Sequence, residues 1–491
     1  MTSGVRLLAV WLTPVLWLAM PTLIVDRGPE GLGIGLALTL APLIALGARS
    51  SDPAADDREP PFPVAVLLFT VAVLLWANMI LAGDVAAWLG APRWQGIVIT
   101  AAGGFILPGW RGGRRIAPLL LLAALLTVSV PLCVLVRAAG VGPLEAWARV
   151  ASRAAFRFPP VSPWVTTGRD LTMLHGQAPM LFDEEHRVTA PAGGRLQARV
   201  LDGGRATDME WTLSPGQSVT LRAGDRLHRS SALRVRFEAD KRVPGSPPSG
   251  IAWAADGRRD WPRRIGLLTT LVFGALALLR AGAVGRMSRL TVAVVGGGTL
   301  AALFWAQAWA VYSILDASDL FLGGVTPERL LAMPAFGGDH SAQPALQVSL
   351  LAGGFLSFLA SSIALRERLG ALDRTGSGEI GYDISLWAGV FAIAALASFW
   401  PLDSWFLAVL ALGAAGSSLG PATLWPRPAA RTGIATLAGL VGLVLFASLS
   451  VVAGLRGETG GLVGAALAYP AMVAVPSGTL VLWIGRRFVR R

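Results

Sequence analysis

Most of the chain alternates between long apolar runs and short polar stretches, and this rhythm fails only between residues 140 and 262. A helix needs about 20 apolar residues to cross the hydrocarbon core of a bilayer. Twelve runs meet or approach that length: Leu7–Val25, Gly31–Ala48, Phe62–Gly83, Trp94–Trp110, Ile116–Val136, Ile265–Leu279, Leu290–Leu315, Ala345–Leu365, Ile384–Trp400, Trp405–Leu419, Thr432–Leu455 and Gly460–Gly485. The pattern predicts a polytopic α-helical membrane protein of about 12 transmembrane helices, five within residues 1–139 and seven within 263–491. No internal repeat relates the two blocks.

The interval between them has a different period. Leu196, Ala198 and Val200 alternate with Gln197 and Arg199; Met209, Trp211 and Leu213 alternate with Glu210 and Thr212. Val219 and Leu221 flank Thr220, and Leu233, Val235 and Phe237 flank Arg234 and Arg236. Period two is the mark of half-buried strands. The turn signals AGG (from Ala192), DGG (Asp202), SPGQ (Ser214) and RAGD (Arg222) separate these runs. Residues 161–262 are therefore predicted to form an all-β domain, a sandwich of jelly-roll or Greek-key type, with a last short strand at Ile251–Ala254.

Residues 140–160 precede it as an amphipathic helix. Pro143 suits its first turn, Leu144, Trp147, Val150, Ala151 and Ala154 share one face, and Arg149, Arg153 and Arg157 lie on another. That pattern fits a helix lying in the outer membrane surface, with Trp147 among acyl chains, or one packed on the β-domain.

Composition supports a membrane setting. The 491 residues are 54% hydrophobic and only 15% charged, with a mean hydropathy of +0.58. The net charge of +12 comes almost wholly from arginine, Lys241 being the one lysine. The arginines cluster between apolar runs, which points to membrane orientation and away from nucleic acid. Threading twelve spans with both termini in the cytoplasm puts eighteen arginines in cytoplasmic segments, against Arg27, Arg93, Arg329 and Arg456 in the short outer loops. The β-domain is then extracytoplasmic, in the periplasm of a bacterial inner-membrane protein. Trp88, Trp94, Trp110, Trp400, Trp405, Trp425 and Trp483 sit near run ends, where indole anchors at the interface. The first run lacks a small-residue cleavage site and reads as a retained membrane helix.

Candidate chemistry is sparse. Cys133, the lone cysteine, lies in an apolar run, so no disulfide, cysteine-based zinc site or blue-copper centre can form within one chain. CxxCH is absent. His175, His186 and His228 are too scattered for a cupin-type metal centre, and FDEEHR (Asp183, Glu184, Glu185, His186) lacks the alternation and glycine turn of a calcium loop and reads as a solvated turn. No cofactor or metal is expected. Span interiors show no clear acidic residue, lysine or histidine; Asp84 and Asp316 fall at span ends.

Three segments, AAGGFILPGW (from Ala101), VGGG (Val295) and YPAMVAVPSG (Tyr469), have the glycines and prolines that either break a helix at a binding site or allow close packing. In FWAQAWAVYSILDASD, Trp305, Trp309, Tyr312 and Asp316 share a helical face, with Asp319 just beyond. This is the candidate groove or partner face. The favoured function is a non-catalytic membrane subunit or scaffold whose β-domain docks another membrane or periplasmic protein. The alternative is a transporter of a neutral or lipid-like solute. Third is an extracytoplasmic transferase using Asp319, Glu328, Asp339 or His340.

Overall fold

The computed structural model describes residues 8–9, 13–14 and 19–27 and, with short breaks, 61–151, 164–247, 261–280, 289–316, 343–423, 432–456 and 461–489. Mostly helical, these residues also include a small β region. Ahead of it lie α1 (Ala19–Arg27), α2 (Pro61–Trp88), α3 (Arg93–Gly109), α4 (Gly113–Ala139) and α5 (Pro143–Ala151). After it come α6 (Trp261–Arg280), α7 (Arg289–Asp316), α8 (Gln343–Asp373), α9 (Ile380–Ala397), α10 (Ser404–Thr423), α11 (Thr432–Arg456), α12 (Gly461–Ala468) and α13 (Ala471–Val489). Among the described residues, four stretches are both long and apolar enough to cross a membrane: Ala65–Ala87, Val294–Tyr312, Ser404–Pro421 and Gly433–Ala453. Four further apolar stretches in α4, α8, α9 and α13 are shorter than that criterion. The predicted run Gly31–Ala48 lies outside the described residues.

Apolar residues surround α2 on all sides, and it packs against α3, α9 and α10. Its polar side chains turn inward on the helix: the Thr70 hydroxyl donates to the Val66 carbonyl at 2.7 Å, and the Asn78 amide donates to Leu74 at 2.6 Å. Such back-bonding lets a polar side chain sit in an apolar helix without orphaning its donor. The α10 helix lies against α2, α6, α11 and α13. Small residues allow that crowding: a Cβ added at Gly416 would lie 2.8 Å from the Gly274 nitrogen of α6, and one at Gly442 of α11 would run into the Ser417 carbonyl oxygen. Where lipid gives helices little hydrophobic reason to associate, close backbone approach of this kind supplies the attraction. By contrast α11 turns Leu437, Val444 and Val451 outward.

Of the three glycine- or proline-marked segments, only one is broken. α12 ends at Ala468 and α13 resumes at Ala471 across Tyr469 and Pro470. α3 and α7 run unbroken through Gly103–Gly104 and Gly296–Gly298. In α3 the glycines admit neighbours: Cβ atoms there would meet Phe355 at 2.8 Å and Phe358 at 2.6 Å.

Among the described residues eight strands make two antiparallel sheets: β1 (Asp170–Met173), β2 (Met180–Leu181), β3 (His186–Thr189), β4 (Gly194–Asp202), β5 (Arg205–Leu213), β6 (Ser218–Leu221), β7 (Arg226–His228) and β8 (Leu233–Phe237). Their orders are β1-β8-β3-β6 and β2-β7-β4-β5. Along the chain the strands go to the two sheets in turn, except that β4 and β5 are consecutive and pair within one sheet. Val188, Leu221, Val235 and Phe237 of one sheet join Leu196, Ala198, Leu213 and Leu227 of the other in one apolar cluster. The SPGQ turn has Pro215 followed by Gly216 at φ 78°, closed by Gln217 N donating to Ser214 O at 3.0 Å. Proline then glycine is the pair that a type II turn requires. In RAGD, Gly224 takes φ 93° and Asp225 N donates to Arg222 O at 3.1 Å. The Asp225 carboxylate accepts from Leu201 N at 2.9 Å and Arg222 N at 2.7 Å, pinning this turn to β4. The predicted strand Ile251–Ala254 lies outside the described residues.

Candidate ligand cavity

Where α2, α3 and α8 meet, they leave a cavity of about 270 Å³. Its walls include Asn78, Leu81 and Val85 of α2, Gly96, Ile99 and Thr100 of α3, Leu351, Phe355 and Phe358 of α8, and Pro14. Among the described lining residues none has a titratable side chain, and Asn78 and Thr100 are the polar ones. Asn78 is 4% exposed and sits inside the Ala65–Ala87 stretch, at the depth of hydrocarbon for a helix that spans. Ile99, 61% exposed, is one of the lining residues. Near the shared end of α2 and α3, Arg93 Nε meets Asp84 Oδ1 at 2.9 Å, tying the two walls together.

An apolar chamber with two neutral polar groups can hold a molecule that needs no charge partner. A search of the sequence for ionisable residues in spans passes over Asn78, because an amide carries no charge. The available signal was a polar letter in the middle of VLLWANMILAG.

The candidate groove face is placed elsewhere. Trp309 is fully buried and Trp305 nearly so, their rings stacked with centroids 5.6 Å apart and planes 9° from parallel. Trp305 Nε1 donates to Val128 O of α4 at 3.3 Å, and the Tyr312 hydroxyl donates to Val141 O at 2.6 Å, just before α5. These three side chains fill the interior between α7 and its neighbours, and none lines the cavity. Asp316 ends α7 with its side chain outside the described residues, as is Asp319 altogether.

The amphipathic segment is helical over Pro143–Ala151 and packs on α7, with Ala146 buried at the contact and Leu144 exposed. Arg149 belongs to this helix, as does Trp147, but their side chains, together with Arg153 and Arg157 as a whole, lie outside the described residues.

In the β-domain, the acidic residues of FDEEHR are engaged with the chain that follows β8. Asp183 meets Arg242 at 2.7 Å, Glu184 accepts from Arg242 N at 2.8 Å, and Lys241 donates to the Glu185 carbonyl at 2.9 Å. On the outer face of the other sheet, Arg199 grips Asp208 through two hydrogen bonds of 2.8 and 3.1 Å, which holds the Asp208 carboxyl below the usual carboxylate range. Among the described residues no three histidine, cysteine or acidic side chains come together as metal ligands.

No protein-family profile and no curated protein match this sequence. Among solved structures, a manganese transporter of Eremococcus coleocola, in complex with an aromatic bis-isothiourea substituted compound, aligns with 99% of this chain and 94% of its own. The identity is 13% and the TM-score 0.40. Mutant forms of the same transporter align over the same spans with TM-scores of 0.40 and 0.39. A likeness of that size assigns neither a family nor an activity.

Proposed function

We propose that this chain is a multi-pass membrane transporter of a neutral, lipid-like solute, and that the cavity around Asn78 is where the solute sits. The observation that carries this reading is the chamber itself: its described lining is apolar and uncharged, it includes the exposed Ile99, and it holds Asn78 within the apolar Ala65–Ala87 stretch. A charged solute would have to shed its hydration there with no opposite charge to receive it. A neutral molecule with an apolar body and one polar group needs only Asn78 or Thr100. In this reading the membrane is a bacterial inner membrane, both termini are cytoplasmic, and the β-domain faces the periplasm, as arginine asymmetry suggests.

The test is reconstitution in liposomes with a fluorescent diacylglycerol as probe, and a diazirine-bearing diacylglycerol for crosslinking. The expected result is leaflet-to-leaflet movement of the probe and crosslinks on residues 78–100 and 351–358. Both should fall at least about tenfold in Ala82→Trp, whose indole would take up about half of the chamber. Equal flux in that variant, or crosslinks spread evenly over the outer helices, would overturn the reading.

A second reading, a scaffold or complex subunit whose β-domain docks a protein partner, draws on β5. Among the described residues it is the last strand of its sheet, and Met209 on it is 43% exposed. A sheet edge of this kind can take an added strand. A photo-crosslinker at Met209 giving one defined protein adduct in native membranes would support it, and adducts to lipid alone would oppose it.

A further inference from the structure

His186 opens β3 and pairs with Leu221 of β6. It is fully buried, lying edge-on to Phe182 (centroids 5.5 Å apart, planes at 64°) and to Phe237 of β8 (6.1 Å, 86°). Among the described residues neither ring nitrogen makes a hydrogen bond of good geometry; the nearest polar groups are the Glu184 carboxylate, 3.6 Å from Nε2, and the backbone of Arg242. Buried polar side chains are nearly always bonded, so this exception calls for an explanation.

The charges around the ring come from each neighbouring element. Asp183 and Glu184 lie on the strap that leads into β3, Arg187 follows on β3, Glu238, Lys241 and Arg242 follow β8, and Arg222 follows β6. Asp225 lies on the RAGD turn, whose backbone bonds Phe182. Every carboxylate in this set has work already. Asp183 and Glu184 hold Arg242, Glu238 holds Lys241 at 3.0 Å, and Asp225 caps two amides. Together the contacts of Asp183, Glu184, Glu185, Lys241 and Arg242 form a clasp joining residues 182–186 to residues 238–243. A neutral imidazole fits between the two phenylalanine rings at the cost of an unmade hydrogen bond. An imidazolium there must be paired.

We propose that His186 is an acid-sensitive switch in the β-domain: once protonated, its ring leaves the aromatic slot and competes with Arg242 for Glu184, and the clasp opens. The proposal is independent of the transport reading. It makes the fold of the β-domain respond to the pH of the compartment it faces.

The sign follows from burial. Burial lowers the affinity of the ring for a proton, Glu184 and Asp183 partly offsetting this and Lys241 adding to it. An opened strap, with its histidine in water, protonates first as pH falls through about 6.5. The closed clasp is therefore fully favoured above that range and loses ground below it.

The experiment is amide hydrogen exchange on the whole protein in lipid nanodiscs at about pH 7.5 and about pH 5.5, corrected for the intrinsic pH dependence of exchange. In the wild type, opening of residues 182–189 and 236–243 is expected to increase by up to about tenfold at the lower pH. His186→Phe keeps a ring in the slot and should abolish the increase. His186→Gln, a smaller neutral group, provides the same test if the phenylalanine variant does not fold. A wild type whose corrected exchange is unchanged, or a folded variant that still responds, would overturn the proposal.

Discussion

Replacing Trp309 by alanine distinguishes a packed face from an open groove. If the surrounding helices do not relax, the deletion leaves a void of about 140 Å³, and at about 24 cal/mol per Å³ that costs roughly 3 kcal/mol. The usual transfer contribution is smaller here, because in a bilayer the alternative to burial is partly lipid. The indole nitrogen of Trp309 has no hydrogen-bond partner among the described residues, so the loss is one of packing alone. Trp309→Phe retains most of the ring and should cost under about 1.5 kcal/mol. Stability is best read by titrating the protein in mixed micelles with a denaturing detergent and following tryptophan fluorescence, with a second probe to establish a two-state transition. The expected order is wild type, then Trp309→Phe, then Trp309→Ala. An alanine variant as stable as the wild type to within about 0.5 kcal/mol would show that the ring stands in open space, and the packed description of α7 would fail.

Two smaller perturbations test other joints. Tyr312→Phe removes the hydroxyl that donates to Val141 O, and should cost about 1 kcal/mol in the same titration; no change would mean that the bond does not form in the membrane. Asp225→Ala leaves the amides of Leu201 and Arg222 without their acceptor, at a cost of about 2 kcal/mol or more. Faster hydrogen exchange confined to residues 198–203 and 222–228 is the expected signature, and unchanged protection there would refute it.

Much of the β-domain could be read from letters. Alternation identifies Leu196, Ala198, Leu233, Val235 and Phe237 as inward-facing, and all five are buried. It also groups Met209 with Trp211 and Leu213, yet Met209 is exposed. Its register partner, Ala198 of β4, is buried, whereas β5 comes last in the order of its sheet among the described residues. Alternation reports which side a residue faces, but not whether anything lies opposite. Helix lengths show a similar gap. The predicted run Ala345–Leu365 becomes part of a 31-residue helix reaching Asp373, because the arginines, Glu367, Leu369, Ala371 and Leu372 of RERLGALD are good helix formers and carry Gly370 with them. In the predicted run Gly460–Gly485, hydropathy hides the interruption at Tyr469–Pro470 that proline's missing N–H imposes.

The cavity was the least legible feature, and the reason is physical. Periodicity and charge describe one segment at a time, whereas a chamber exists only through what three helices leave unfilled. Small residues in this chain serve opposite ends. Gly274 and Gly416 bring α6 and α10 into backbone contact and remove space. Around Asn78, Gly103 and Gly104 instead admit Phe355 and Phe358 toward α3, and these same rings form one wall of the chamber. Glycine content alone therefore cannot say whether a segment closes a bundle or opens it; the bulk of the facing side chain decides. The Trp305–Trp309–Tyr312 face makes the converse case. Its amphipathic rings suit a groove or an interior equally well, and the backbone acceptors at Val128 and Val141 are what make the interior satisfactory for the polar ends of Trp305 and Tyr312.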